Sequence, residues 1–373
     1  METKNLTIET LSPVFIGNGE VYSKFDYTSK FTNGDVIITI YDEDKIINDL
    51  PTYFNEDEIF QILDEIKKEL KENQNFEIVT YLKGKNKKIL FKNYKIKEYR
   101  TKIRQLLSKK DILQFVHQNF MPYIPGSSIK GAINTALLYN KLKNFSKEDF
   151  ENLIKSDSLT PNKKYNNELI NVSNYNERYY IFDSFFNENM LDLFMAQRFY
   201  VYHINKNKIG TFNKNATNYI EGIKPYQKIE LEIKCSNEKF DEIKNSCNEL
   251  SLKICEWELE MLNKYKNFWK DDKVYKDLTN FYIKLKKDIE NNSNNTIFIN
   301  IGWGGGCLPK TIYILSKEKK IDFNLLKSKL NTKYKNKITS YEEFPFTRTI
   351  TKYYNPKERK LKNYPLGWIK IEG

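Results

Sequence analysis

The segment Pro125-Gly126-Ser127-Ser128-Ile129-Lys130-Gly131 dictates a chain break followed at once by a helix. Pro125 and Gly126 end whatever precedes them, and Ser127 and Ser128 are residues that can cap a helix. Ile129, Ile133, Ala136 and Leu137 then recur at helical spacing. Such a start gathers backbone N–H groups, two hydroxyls and Lys130 at the positive end of a helix dipole, where an anion such as phosphate is favoured. The same residues also read as a capped helix start and nothing more. The spacing is not the G-x-x-x-x-G-K-S/T of a Walker loop, and no Walker-type aspartate strand accompanies it, so an ATPase is a poor reading.

The pattern around this segment predicts alternating strands and helices. A first strand over residues 5–16 leads into Gly17-Asn18-Gly19-Glu20, a turn that asks for positive φ. Residues 25–40 read as a strand pair with Asn33-Gly34-Asp35 at its tip, and Glu56–Glu72 as an amphipathic helix with Ile59, Ile62, Leu63, Ile66 and Leu70 on one face. Residues 160–177 are polar and Asn-rich, a loop, and a short strand over 179–182 ends at Asp183-Ser184. Beyond His203, strands are expected at 208–212 and 227–235, then two or three helices between 238 and 289. A strand at 296–301 runs into Gly302-Trp303-Gly304-Gly305-Gly306, and another over 366–371 closes the chain. Each half supplies strands, a helix and a Gly-rich turn, which predicts an α+β protein of two units with antiparallel sheets; 373 residues suffice for two cores.

The formal net charge is +12, and its surplus is concentrated. Residues 81–110 hold twelve basic side chains against one acidic, Glu98, interleaved with Tyr81, Phe91, Tyr94 and Tyr99, while the rest of the chain is nearly balanced. A basic, aromatic-laced belt suits a polyanion. A Lys- and Asn-rich composition from an AT-rich genome is the competing cause. Only six basic residues are Arg, among them Arg100 and Arg104 in the belt. Lys neutralises phosphate as a point charge, so the balance favours tracking a backbone over reading bases.

Gly302 to Gly306 is denser in glycine than a turn needs, and it either lets a ligand backbone pass close to Trp303 as a stacking surface or is a tight turn with Trp303 in the core. Lys310 downstream could add a phosphate contact. No catalytic set stands out. His117 and His203 lie in apolar surroundings and read as structural, and Asp26 and Asp35 belong to no carboxylate cluster. Cys235, Cys247, Cys255 and Cys307 show no C-x-x-C pairing, so neither zinc nor disulfides are indicated, and no metal or cofactor is expected. No apolar run is long enough to span a membrane, and the first residues alternate like a strand rather than a signal peptide, so the cytoplasm is the expected location.

Four segments together resemble the RAMP proteins of CRISPR–Cas systems, most closely the fifth-subunit family of the type III-A (Csm) effector complex. They are Leu6 to Gly19, with Gly17 and Asn18 in its turn, Tyr123 to Ala132, Asn300 to Gly306, and Pro365 to Lys370. Asp183-Ser184 and the stretch from Gly210 to Glu221 fall where that family has them, so the likeness runs the length of the chain. The resemblance implies two ferredoxin-like (RRM-like) domains, 1–200 with a helical and basic insertion at about 41–120, and 201–373 with a long helical insertion. It implies a subunit that caps the 3′-end side of the guide-RNA-bound filament, contacts guide RNA and neighbouring Csm subunits, and supports guide 3′-end maturation without an established nuclease site. Gly17, Asn18, Arg100, Arg104, Gly126, Ser127, Ser128, Lys130, Gly131, Gly302, Trp303, Gly304, Gly305, Gly306 and Lys310 are then the expected RNA contacts. Asn134 stands where relatives often carry a basic residue. The alternative is a RAMP endoribonuclease, with His117 as base, or Asp26 or Asp35 with a metal. A stand-alone RRM-like protein fits less well, because the aromatic signature strand is not recognisable.

Overall fold

Along β1 (Glu2–Thr10) burial alternates through Leu6, Ile8 and Thr10, the period of a strand with one face on a core. The computed structural model describes residues 1–23, 25–73, 76–108, 110–156, 178–203, 206–292, 295–329, 344–355 and 359–373. The loop expected at 160–177 and Lys109 of the basic belt lie outside the described residues. The chain continues through β2 (Gly17–Tyr22), the hairpin β3 (Tyr27–Thr32) and β4 (Asp35–Tyr41), and helices α1 (Glu43–Asn48), α2 (Glu56–Glu72) and α3 (Ile78–Lys85). Strands β5 (Lys95–Thr101), β6 (Ile112–Phe115), β7 (His117–Gln118) and β8 (Met121–Ile124) lead to α4 (Gly126–Leu142) and α5 (Lys147–Ser156). Then come β9 (Tyr180–Ile181), β10 (Ser184–Phe185), β11 (Leu191–Tyr200), β12 (Phe212–Ile223) and β13 (Lys228–Cys235). Helices α6 (Asn237–Lys264) and α7 (Asp272–Glu290), strand β14 (Ile297–Asn300), and short helices α8 (Tyr313–Glu318) and α9 (Phe323–Lys329) follow. Strands β15 (Thr347–Asn355), β16 (Lys360–Pro365) and β17 (Trp368–Glu372) end the chain.

One sheet has the order β14-β17-β1-β13-β9. Its strands β1, β9, β13 and β17, with α4 after β1 and α6 after β13, run β-α-β-β-α-β in sequence, and in space the fourth lies beside the first, then the third, then the second. That is the split arrangement of a ferredoxin-like fold. Ile8 faces Ile229 on one side and Ile371 on the other, and α4 and α6 pack together with this sheet in one core. The alternation of β13, with Ile229, Leu231, Ile233 and Cys235 inward, leaves its other face to solvent.

This unit draws on both ends of the chain, so the boundary expected at 200/201 cuts through it. The six-stranded second sheet, β16-β15-β11-β12-β6-β2, is cut by the same boundary between its paired strands β11 and β12. Apolar strand faces found their partners far away in sequence, as Leu6 against Leu231 shows. Two local expectations also differ. Gly17–Tyr22 is a strand in which Gly17 pairs with Phe115, although Gly19 does take positive φ (+94°). A short 3-10 turn, Lys206–Lys208, stands where a strand was expected, and β12 begins only at Phe212.

Within the stretch expected as an insertion, residues 43–94 form a module with its own core. Ile46, Leu50, Ile62, Ile66, Leu82 and Phe91 cluster apart from the main core. Helix α2 spans the expected residues, opened by a capping box in which Asn55 and Glu58 satisfy each other's backbone amides. Asn33 (φ 53°) and Gly34 (φ 82°) make the β3–β4 turn, and β5 completes a sheet in the order β3-β4-β5. A buried carboxylate clamps β5, the strand that follows the module, to the second sheet. Glu221 of β12 accepts from Lys97 Nζ of β5 at 2.6 Å, from the Tyr99 hydroxyl, and from the Phe115 backbone N–H at 3.0 Å.

Candidate nucleic-acid interface

Pro125 ends β8 in an extended conformation (φ −60°, ψ 128°) and stands as the N-cap of α4 without a capping side chain. Ser127 and Ser128 fall inside the first turn and do not cap. The cap comes from elsewhere: Asp183 Oδ1, between β9 and β10, accepts from the Gly126 backbone N–H at 2.8 Å. Gly126 is glycine because a Cβ there would sit 2.2 Å from the Ile181 carbonyl oxygen. The end of the helix, expected to be open to phosphate, is thus partly satisfied by the protein's own carboxylate.

The flank of the same helix is open. Ser127, Ser128, Gly131 and Asn134 form one wall of a cleft of about 510 Å³. Asn300, Gly302 and Trp303 form the opposite wall, with Gly17 and Lys310 also lining it. Three segments remote in sequence converge there, the start of β2, the start of α4 and the glycine loop after β14. A Cβ on Gly131 would meet nothing within 4 Å, so its bare backbone leaves the wall open without serving the protein's own packing.

The glycine loop is held by the connection between β1 and β2. The Trp303 backbone N–H donates to the Phe15 carbonyl at 2.8 Å, and the half-buried indole meets the Phe15 ring edge-on at 5.8 Å. Gly302 has φ +73°, and a Cβ there would lie 2.4 Å from the Phe15 oxygen. The loop is a tight turn with Trp303 packed on the core, and Trp303 also lines the cleft. Gly304 packs against Leu366 and Gly305 against the Asn300 side chain, while Gly306 is exposed. Asn300 Nδ2 donates to the Leu366 carbonyl at 2.7 Å, and its Oδ1 is buried with no partner among the described residues.

Lys310 is the one charged side chain lining the cleft among the described residues, and no carboxylate pairs with it there. It reaches solvent, yet the surrounding protein holds its ammonium below the ordinary lysine value by desolvation. Lys130 is not part of the lining. Its Nζ leans on Tyr179, 5.1 Å from the ring centroid, and donates to the Tyr179 carbonyl at 3.4 Å. Asn134 accepts from the Tyr179 hydroxyl. Asn18 is tied to Glu20 in a local turn, with Nδ2 donating to Oε2 at 2.7 Å. Arg100 and Arg104 lie elsewhere, on and just after β5, with the Arg104 guanidinium 5.0 Å from the Phe31 ring centroid.

The residues weighed for RNA cleavage are dispersed. His117 Nδ1 donates to the Phe115 carbonyl at 2.5 Å, and its Nε2 is buried with no partner among the described residues. His203 meets Tyr200 edge-on at 4.9 Å. Asp35 forms an ion pair with Lys102, at the turn end of the β3–β4 hairpin. Asp26, at the other end, accepts from the Ser23 N–H at 2.7 Å. Beside it Glu43 is pushed up to about 7, by burial first and then by its hydrogen bond to Asp26. No three His, Cys, Asp or Glu side chains gather into a metal-sized group among the described residues. No helix among them is long and apolar enough to cross a membrane.

The family model of the RAMP superfamily matches residues 7–309. A Methanocaldococcus jannaschii protein described as CRISPR system Cms protein Csm5 is 29% identical, over 99% of this chain and 88% of its own length. Among solved structures, a chain of a cryo-EM Csm–crRNA–target RNA ternary complex from a type III-A CRISPR–Cas system superposes with a TM-score of 0.66 at 19% identity, covering 100% of both chains. The crystal structure of T. onnurineus Csm5 gives 0.56 at 18%, covering 97% of this chain and 99% of that one. At these identities the two structures share the fold.

Proposed function

The chain belongs to the RAMP superfamily, and on that premise we propose that it is an RNA-binding structural subunit of a type III-A CRISPR effector complex. In this reading it caps the 3′-end side of the guide-bound backbone filament and supports maturation of the guide's 3′ end, with guide RNA and other Csm subunits as its partners. Full-length similarity to a Csm5 relative supports the role, and the shared fold with a chain of an RNA-bound Csm complex is consistent with it.

The observation that carries the RNA contact is the convergence of Gly17, Ser127, Ser128, Gly131, Gly302, Trp303 and Lys310 on one cleft. Lys310 supplies a point charge to a phosphate, and a phosphate there returns its pKa toward the ordinary lysine value. The serine hydroxyls donate to phosphate or ribose oxygens, and Trp303 offers a face for a base. Gly131 lets the nucleic-acid backbone approach the helix closely. Few base edges can be read by such a set, so binding is weakly sequence-specific and depends on salt. Gly126, Lys130, Gly304 and Gly305 act in this account by shaping and holding the cleft.

Co-expression with the other Csm subunits and a guide RNA tests the reading. The chain co-purifies with the complex, and Gly131→Leu combined with Lys310→Ala lowers guide occupancy. Failure to co-purify would overturn the subunit role, and full occupancy in the double variant would overturn the cleft. Purified protein leaves precursor and target RNA uncut with or without EDTA; cutting abolished by His117→Ala, Asp26→Asn or Asp35→Asn would overturn binding without chemistry.

A further inference from the structure

Part of the basic belt is neutralised by nearby carboxylates. Lys85 pairs with Glu65 at 2.8 Å, Lys95 with Glu98 at 2.8 Å, and Lys97 with buried Glu221. One part of the belt opens onto a second cleft, of about 390 Å³. Strands β11 and β15 pair from Tyr200↔Thr347 as far as Met195↔Lys352 and then part. Asp192 and Leu193 continue on one side of the gap, Tyr353 and Tyr354 on the other, and Arg100 of β5 and Lys102 just after it close the cleft.

Four cations, Arg100, Lys102, Lys224 and Lys352, outnumber two carboxylates, Asp35 and Asp192, around this cleft. Lys102 is paired with Asp35 and lies 5.7 Å from the Tyr354 ring centroid. Lys224 Nζ donates to the Asn189 carbonyl, and Asp192 Oδ1 accepts from the Leu193 amide at 2.7 Å. Arg100, exposed, and Lys352, half-buried, have no carboxylate partner among the described residues. Tyr353 is packed on Phe194 at 5.4 Å, which leaves Tyr354 and Leu361 as the apolar wall beside the two unpaired cations.

We propose that this cleft is a second site for single-stranded RNA, holding one nucleotide step with Arg100 and Lys352 on the phosphate and Tyr354 against the sugar or base. The proposal rests on the RNA-binding reading above and extends it to a different sheet. A nucleotide suits both halves of the lining, because an acidic peptide would use the cations and leave the aromatic wall without a counterpart. Burial holds the Asp192 carboxyl up at about 6, so an approaching anion meets a carboxylate that takes a proton close to neutrality.

The test is binding of a short oligouridylate to the full chain, followed by fluorescence anisotropy across a salt series. Arg100→Gln with Lys352→Gln keeps the stems and removes two phosphate contacts. Affinity at low salt falls about tenfold or more, and the slope of log K against log salt falls by about 1.4. Lys276→Gln with Lys284→Gln on α7 removes the same net charge and changes affinity less than about twofold in comparison. Tyr354→Leu keeps bulk without a ring and weakens binding several-fold. Equal losses from the two lysine-containing pairs, or no loss from the cleft pair, would overturn the proposal. So would oligoglutamate displacing the RNA more tightly than oligouridylate itself binds. If Gly131→Leu with Lys310→Ala is silent while Arg100→Gln with Lys352→Gln is not, the glycine-loop cleft fails and this site stands.

Discussion

Asp183 and Gly126 are joined by a 2.8 Å hydrogen bond from the Gly126 backbone N–H to the Asp183 carboxylate. An anion from the protein itself thus already sits at the positive end of α4. The consequence is a displacement of the external anion site from the end of the helix to its flank, where Ser127, Gly131 and Lys310 face the glycine loop.

Removing that cap should cost stability before it costs binding. Asp183→Ala is expected to lower unfolding free energy by about 1 kcal/mol, the usual value of a lost N-cap. Asp183→Asn keeps an acceptor and loses only the charge, about 0.3–1 kcal/mol. Denaturant titration measures both, and equal stability of Asp183→Ala and the parent chain would show that the carboxylate does not hold the helix.

Gly131 separates stability from function in the opposite direction. A glycine inside a helix is roughly 1 kcal/mol less favourable than alanine, and a Cβ here meets open space. Gly131→Ala should therefore stabilise the chain, while Gly131→Leu fills the cleft and weakens RNA binding with no loss of stability. Thermal melts and RNA titrations on the two variants check this pair of opposed signs.

The clamp between β5 and the second sheet is a buried charge pair. Glu221 is fully buried and the Lys97 side chain is 9% exposed. Lys97→Met leaves Glu221 charged without its cation and is expected to cost about 3–5 kcal/mol. Lys97→Met with Glu221→Gln keeps the acceptor for Tyr99 and Phe115 and should recover most of that loss. Limited proteolysis would report early cutting within residues 43–94 in the single variant alone.

How far the fold could be read follows from where each signal resides. Helix α2 and the Asn33-Gly34 hairpin were legible because their cues are local, a stripe of Ile at helical spacing and two residues suited to positive φ. Strand β11 was missed because Leu191–Tyr200 is buried on both faces and so shows no alternation. The mixing of chain halves was not legible either, since Ile8 finds Ile229 and Ile371 only in three dimensions. In the site, Ser127, Gly131, Trp303 and Lys310 were marked by local chemistry, and their convergence is tertiary. Nothing local marked Asp183 as a cap, 57 residues from the amide that it accepts from.

Asp192 makes the second cleft sensitive to pH. Its carboxyl is raised from 3.8 to about 6, chiefly by burial, against the opposing pull of the Leu193 amide and Lys224. The folded state then binds a proton more readily than the unfolded chain between about pH 4 and 6. Its contribution is unfavourable above pH 6 and fades as pH falls toward 4. Asp192→Asn should stabilise the protein by about 3 kcal/mol at pH 7.5 and by less than about 1 kcal/mol at pH 4. Denaturation at the two pH values checks the sign, and a variant less stable at pH 7.5 would refute it.

The most direct test of the central claim is photo-crosslinking in the assembled complex, with 4-thiouridine placed along the guide and the adducts mapped by mass spectrometry. The account predicts adducts on Trp303 and on the peptide carrying residues 127–135, lost when Gly131→Leu closes the cleft. Guide crosslinks confined to other surfaces of the chain, unchanged by that substitution, would contradict it.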